Sequence, residues 1–215
     1  MKPIIKFKIL FAALFLALGT QSILAQSRAD IFDGKTPITW LGLDYTQAKF
    51  IISPSDEKSK EELNADFTGK YIPAWNYLFM MEKKKFDVAK AVHRSEVKYA
   101  LSVTEKVNNT ITKDFYSTNQ KEYQTLTEGN IRDLVKSYDF QGNKGIGMMF
   151  FVEGMNKLTG EEGVWVTFVD MDSKNLLFTS YLTGKIAGMG FRNNWANPFY
   201  KILLQVGSYY DQWAK

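Results

Sequence analysis

The sequence predicts an α+β fold: a single domain built on a mixed β-sheet of about five strands, in the order β-α-β-α-β-β-β-α, packed by helices. Three observations carry this. GIGMMFFVEGMNK (145–157), VWVTFVDM (164–171) and NLLFTSYLTGKI (175–186) are strand-like runs. Their connections, LTGEEG and DSK, are short enough to force antiparallel neighbours. Earlier strand-like runs alternate with helical patterns, which favours parallel pairing through crossovers.

The chain opens MKPIIKFKILFAALFLALGTQSILAQS. Lys2, Lys6 and Lys8 form a basic start, an apolar run follows, and Ala25 suits the position before a cleaved bond, the pattern of a secretory signal peptide over 1–25. Its apolar core is far shorter than the ~20 residues that span a bilayer. The mature chain is therefore expected to begin at Gln26, without a transmembrane segment, in the periplasm or outside the cell. No cysteine occurs, so it is not expected to be a lipoprotein. Of 27 basic residues the leader removes three lysines, leaving 24 against 23 acids. So balanced a chain gives no support to nucleic-acid binding.

The missing cysteines also exclude thiol catalysis, thiolate metal sites and redox exchange. His93 is the only histidine, so a multi-histidine zinc site is impossible, and any Ser-His-Asp arrangement would have to use it. Its setting, AKAVHRSE, favours an exposed or capping role. No catalytic residue, metal or cofactor is assigned.

Along the mature chain, 26–37 reads as an irregular arm. ITWLGLDYTQAKFII (38–52) reads as a strand, bulged near Gly42. Ser53-Pro54, with Asp56 and Glu57 following, signals a helix start. That helix is expected to run to about Lys85 with a break near Gly69, carrying Ile72, Trp75 and Phe79 on one face. Lys83, Lys84 and Lys85 fall at its carboxyl end, where cations complement the dipole, although a lysine triplet can also meet anionic lipid. VKYALSVTEKV (97–107) reads as a second strand, 108–124 as a hairpin arm or long loop, and Thr125-x-x-Glu128 as a capping box opening a helix to about Tyr138. In VWVTFVDM both alternating sets are largely apolar, so this strand should be covered on both faces. Asn197-Pro198 reads as the start of the last helix, whose buried face is Phe199, Ile202, Leu203, Val206, Tyr210 and Trp213.

The stretch TGKIAGMGFRNNWANP (183–198) brings the candidate binding surface. Gly184, Gly188 and Gly190 lie between a strand and a helix, where anion-binding loops occur. Their order matches neither phosphate-binding motif, and the plainer use is a sharp corner. Arg192, one of four arginines, nevertheless sits between those glycines and Trp195. With Lys185 and Asn194 these residues form the candidate surface. Glu153, an acid within FFVEGM, must face water, pair with a cation such as Arg192, or line a pocket. Asp44, Glu153 and Asp170 are the acids within strand-like runs and the candidate pocket acids. Asp170-x-Asp172-Ser173 resembles a calcium-loop start but lacks the distal ligands, and an Asx-stabilised turn fits better. Nine aromatics lie between Phe178 and Trp213, a density that also suits a sugar-binding face.

ITWLGLDYTQAKFI and GFRNNWA, with VDMDSKNLLFTSYLTGK before the second, resemble a family of small uncharacterised exported proteins of Gram-negative gut-type bacteria. The resemblance spans most of the mature chain and implies no catalytic residues. In outline, the strand order also resembles anticodon-binding-like envelope domains, which implies an assembly or interaction role. The leading expectation is a non-enzymatic exported module that binds a partner protein or envelope component through 184–195. The alternatives are a hydrolase or small-molecule-binding enzyme with a carboxylate cleft, and a glycan binder.

Overall fold

A computed structural model describes residues 25–54 and 60–215. The expected leader before Ala25, and the first helical turn at Asp56 and Glu57, lie outside the described residues. The first strand meets the expected bulge: β1 (Ile38–Asp44) and β2 (Lys49–Ile51) are separated by a turn closed by Ala48 N–H on the Tyr45 carbonyl, and the β1 register shifts between Trp40 and Gly42. Both run parallel to β5 (Ile146–Asn156), so they act as one interrupted strand. β3 (Lys98–Tyr99) and β4 (Tyr116–Ser117) flank them in parallel. On the other side β6 (Glu161–Asp170) and β7 (Asn175–Lys185) complete an antiparallel meander. The result is one mixed sheet, effectively five strands wide, that curls into a half-barrel packed by helices.

Each face of the sheet carries a core. The larger one gathers Trp40, Trp75, Phe79, Phe150, Phe168 and Phe199 under helices α3 (Ile72–Met81) and α7 (Phe191–Trp213). The smaller one gathers Leu41, Ile131, Val135, Tyr138, Phe151 and Val169 under α5 (Ser102–Asn108) and α6 (Glu128–Ser137). β6 is accordingly covered on both faces, as its uninterrupted apolar run requires.

Several sequence expectations are corrected. The arm 26–37 is not irregular: it holds α1 (Arg28–Phe32), closed by a capping box between Ser27 and Asp30, and Ile31 is fully buried. Arg94 fixes it by donating to the Ile31 carbonyl at 2.8 Å and pairing with Asp33 at 3.2 Å. The expected strand 97–107 stops after two residues and becomes α5. The edge of β1 shows why. β3 pairs with it only at Thr39 and Trp40, and beyond them side chains take the place of a strand on that edge. Thr104 Oγ1 donates to the Leu41 carbonyl (2.7 Å), Asn108 Nδ2 donates to the Leu43 carbonyl (2.8 Å), and Leu43 N–H donates to Asn76 Oδ1 (2.8 Å). Thr104 and Asn108 are four residues apart, so only a helix presents both to β1. Gly42 lies at φ +102°, and a Cβ there would stand 2.5 Å from both Asn76 Oδ1 and Thr104 Oγ1, so the position needs glycine.

The region 108–124 holds β4 and a turn of 3₁₀-helix at Gln120–Glu122. The capping box of α6 is formed by Thr127 and Asn130, two residues later than expected, with Thr127 Oγ1 accepting Asn130 N–H at 3.3 Å. Around Gly69 the helix does not break. α2 (Lys60–Asp66) passes through a π-turn, Phe67–Tyr71, into α3, and Ile72 N–H donates to the Phe67 carbonyl. Pro73 offers no N–H to the preceding turn, and the wider turn accommodates that loss. Asn197-Pro198 does not start the last helix. α7 begins at Phe191 behind Gly190, and Pro198 lies within its third turn. The buried face is as expected through Tyr210, with Trp213 half-buried.

Candidate functional site

Two aromatic ladders meet where the π-turn faces the amino end of α7. Phe67, Tyr71 and Trp75 recur at four-residue spacing on one helix, Phe191 and Trp195 on the other, and such pairs share a helix face. Tyr71 lies 4.7 Å from Phe191 between ring centroids, and Phe50 of β2 meets Trp195 edge-on at 5.1 Å. Trp75 Nε1 donates to the Arg192 carbonyl at 2.9 Å and ties the start of α7 to α3. Between these rings opens a groove of about 400 Å³, walled by Phe50, Tyr71, Tyr116, Phe191 and Trp195, with Asp66, Lys157 and Asn194 as its polar groups. Its volume and mostly apolar lining are those of a site for one apolar group or a short segment. The adjoining π-turn strengthens the case, because such turns occur disproportionately at functional sites.

Glycine has a defined use at this corner. A Cβ on Gly184 would lie 2.7 Å from the Pro198 carbonyl oxygen and 2.8 Å from its Cα, so β7 and α7 touch backbone to backbone there. Gly188 and Gly190, at φ +119° and +79°, turn the chain into the helix.

Of the candidate surface residues, the structure brings Asn194 and Trp195 to the groove and leaves the other two outside. Trp195 is 3% exposed and serves as a wall, not as a surface ring. Arg192 is exposed and donates to Asn193 Oδ1 at 3.2 Å. Lys185 lies 3.8 Å from Glu161 and is likewise directed away.

The pocket acids do not assemble. Glu153 neither pairs with Arg192 nor faces solvent. It is buried and accepts the Leu126 N–H at 2.6 Å and Trp165 Nε1–H at 2.8 Å. Asp44, also buried, accepts Tyr138 Oη–H at 2.7 Å and Thr46 N–H at 2.6 Å. Burial pushes its carboxyl up, against the pull of those bonds. Asp170 accepts Ser173 Oγ–H at 2.6 Å and Asp172 N–H at 3.1 Å, the Asx turn the sequence suggested, and the Gln26 N–H at 3.3 Å. It faces Ile146, seven residues along β5 from Glu153, or about 23 Å at 3.3–3.4 Å per residue. Each carboxylate is occupied by local donors, and no cleft joins the three. His93 is exposed, its ring nitrogens 3.2 Å from Asp211 Oδ1 and 3.3 Å from the Gly207 carbonyl.

Two features escaped the sequence reading. The groove rings Phe50, Tyr71, Tyr116 and Phe191 come from four elements, and only the four-residue aromatic spacing in FTGKYIPAW and FRNNW hinted at them. Glu162 was placed in a turn, yet β6 begins at Glu161 and carries Glu162 into the larger core, where neither carboxyl oxygen has a partner. Burial raises its pKa well above 4.5.

The fold and the groove thus define an α+β protein with an aromatic-walled groove and, among the described residues, no joining of the candidate acids in one cleft. No protein family, curated protein or solved structure matches the chain. Among the described residues no helix is long and apolar enough to cross a membrane.

Proposed function

We propose that the protein is a non-enzymatic exported module that captures an apolar group of a partner protein or other envelope component in the groove at the amino end of α7. The single observation behind this is the groove itself: five aromatic walls around an opening of about 400 Å³, with polar groups beside it. Aromatic walls give contact area at little entropic cost, and the polar groups orient what enters. The dispersal of the carboxylates fits the same reading.

A photoreactive residue at position 194 is expected to trap a defined partner in the cells that make the protein, while the same residue at Asp133, exposed on α6, traps none. Ile186 also lines the groove, and Ile186→Trp, which should fill it, is expected to abolish the adduct. Equal trapping from both positions, or an adduct indifferent to the filled groove, would remove this function. The exported part of the reading has its own check: the intact mass of the released chain should begin at Gln26, and a chain retaining its leader would contradict it.

A further inference from the structure

The groove lies where α3 and α7 begin; a second surface lies where α3 ends. Helix α3 stops at Met81, and the turn that follows leaves Met80, Met81, Glu82, Lys83, Lys84 and Lys85 all exposed, with Met81 at 79%. Shallow hollows flank this turn, one of them shared by Lys84, Lys85 and Lys90 with Leu204, itself 51% exposed on α7. No ion pair engages Lys83, Lys84, Lys85 or Lys90 among the described residues. Lys83 Nζ lies over the Tyr99 ring at 4.6 Å, and Lys85 Nζ over Phe86 at 5.2 Å and Tyr200 at 5.8 Å, so each ammonium rests on a ring while its residue stays exposed. Glu82 is the acid within the run; Asp87, which caps α4 (Val88–Ala91) by accepting Lys90 N–H at 2.9 Å, and Glu96 line a hollow beside Lys83 and Lys84.

From this geometry we infer that the Met80–Lys85 turn docks the protein on an anionic lipid bilayer. Charge complementarity sets the partner's sign. The apolar residues decide its kind: an acidic protein needs only the lysines, whereas two unpartnered thioether side chains beside them suit insertion at the boundary of headgroup and acyl chain. The rest of the chain is near charge balance, so the attraction is local to this turn. Docking there leaves the groove, at the other end of α3, open to a partner.

The test is co-sedimentation of the mature chain with vesicles of phosphatidylcholine alone or mixed with phosphatidylglycerol. Binding is expected only to the mixed vesicles and should weaken as salt screens it. K83Q/K84Q/K85Q is expected to lower the partition coefficient on the order of a hundredfold. K83R/K84R/K85R should keep binding, and M80S/M81S should remove the part that survives high salt, with circular dichroism unchanged in all three. Equal binding to neutral vesicles, or binding indifferent to the glutamine variant, overturns the inference. Failure to bind either vesicle while retaining lysine-dependent binding to polyglutamate overturns it in favour of an acidic protein. Trapping at position 194 reports separately on the groove.

Discussion

Glu162→Gln is expected to stabilise the protein at pH 8 and to change it little near pH 5, the gain growing by up to about 1.4 kcal/mol per pH unit between them. Glu162 is fully buried on β6, and neither carboxyl oxygen finds a partner. An ionised carboxylate in that setting is too costly, so the folded chain keeps the proton and its pKa rises well above 4.5. The sign follows from the proton count. Above pH 4.5 the unfolded chain releases the proton while the folded chain retains it, so stability falls as pH rises from that value through the raised folded-state value. Below 4.5 both states hold the proton and the penalty vanishes. Glutamine keeps the shape and carries no titrating group, so the variant should lose this part of the slope. Asp44, whose pKa is also raised by burial, keeps a smaller slope of the same sign in the variant. Urea unfolding of both chains across that range decides the matter; parallel stability curves would show that Glu162 is solvated and paired in solution.

The second large effect is Gly184→Ala, expected to cost about 3 kcal/mol, the upper end of overpacking penalties. The added methyl would press on the backbone of Pro198 at 2.7–2.8 Å. A flexible side chain could swing aside, but here the obstacle is main chain in the middle of a packed helix, so α7 must lift from β7. Because Phe191 and Trp195 ride on that helix, the groove should distort together with the loss of stability. Urea unfolding measures the first, and trapping from position 194 the second. A variant as stable as the parent would mean that the contact between β7 and α7 is looser than the structure has it. Gly129→Ala serves as the control, since a Cβ there meets only Thr127 Oγ1 at 3.5 Å.

These two residues also mark the limits of what the sequence disclosed. The meander was legible because its apolar runs were long and its turns short. The carboxyl end of α7 was legible because its apolar residues kept helical spacing through Tyr210. Glu162 was not, because an acid beside another acid between glycines reads as a turn. Only the length of β6, set by pairing with β5 and β7, carries it into the core. The stretch 97–107 was misread for a related reason. Its β-branched residues favour a strand locally, but Thr104 and Asn108 are needed four residues apart to satisfy the backbone of β1 where β3 has ended. Tertiary hydrogen bonding outweighed propensity there.

The sequence by itself determined the class of fold, the antiparallel meander with the buried face of the helix after it, and the exclusion of thiol and multi-histidine chemistry. These follow from residue type and periodicity, which are local. The tertiary structure alone decided which side chains share a space. It placed Glu153 with Trp165, not Arg192, held Asp170 far from Glu153 along β5, and turned Trp195 inward as one wall of a groove. Groove walls from β2, β4, the π-turn and α7 are distant in sequence, and no periodicity within any one of them records the others.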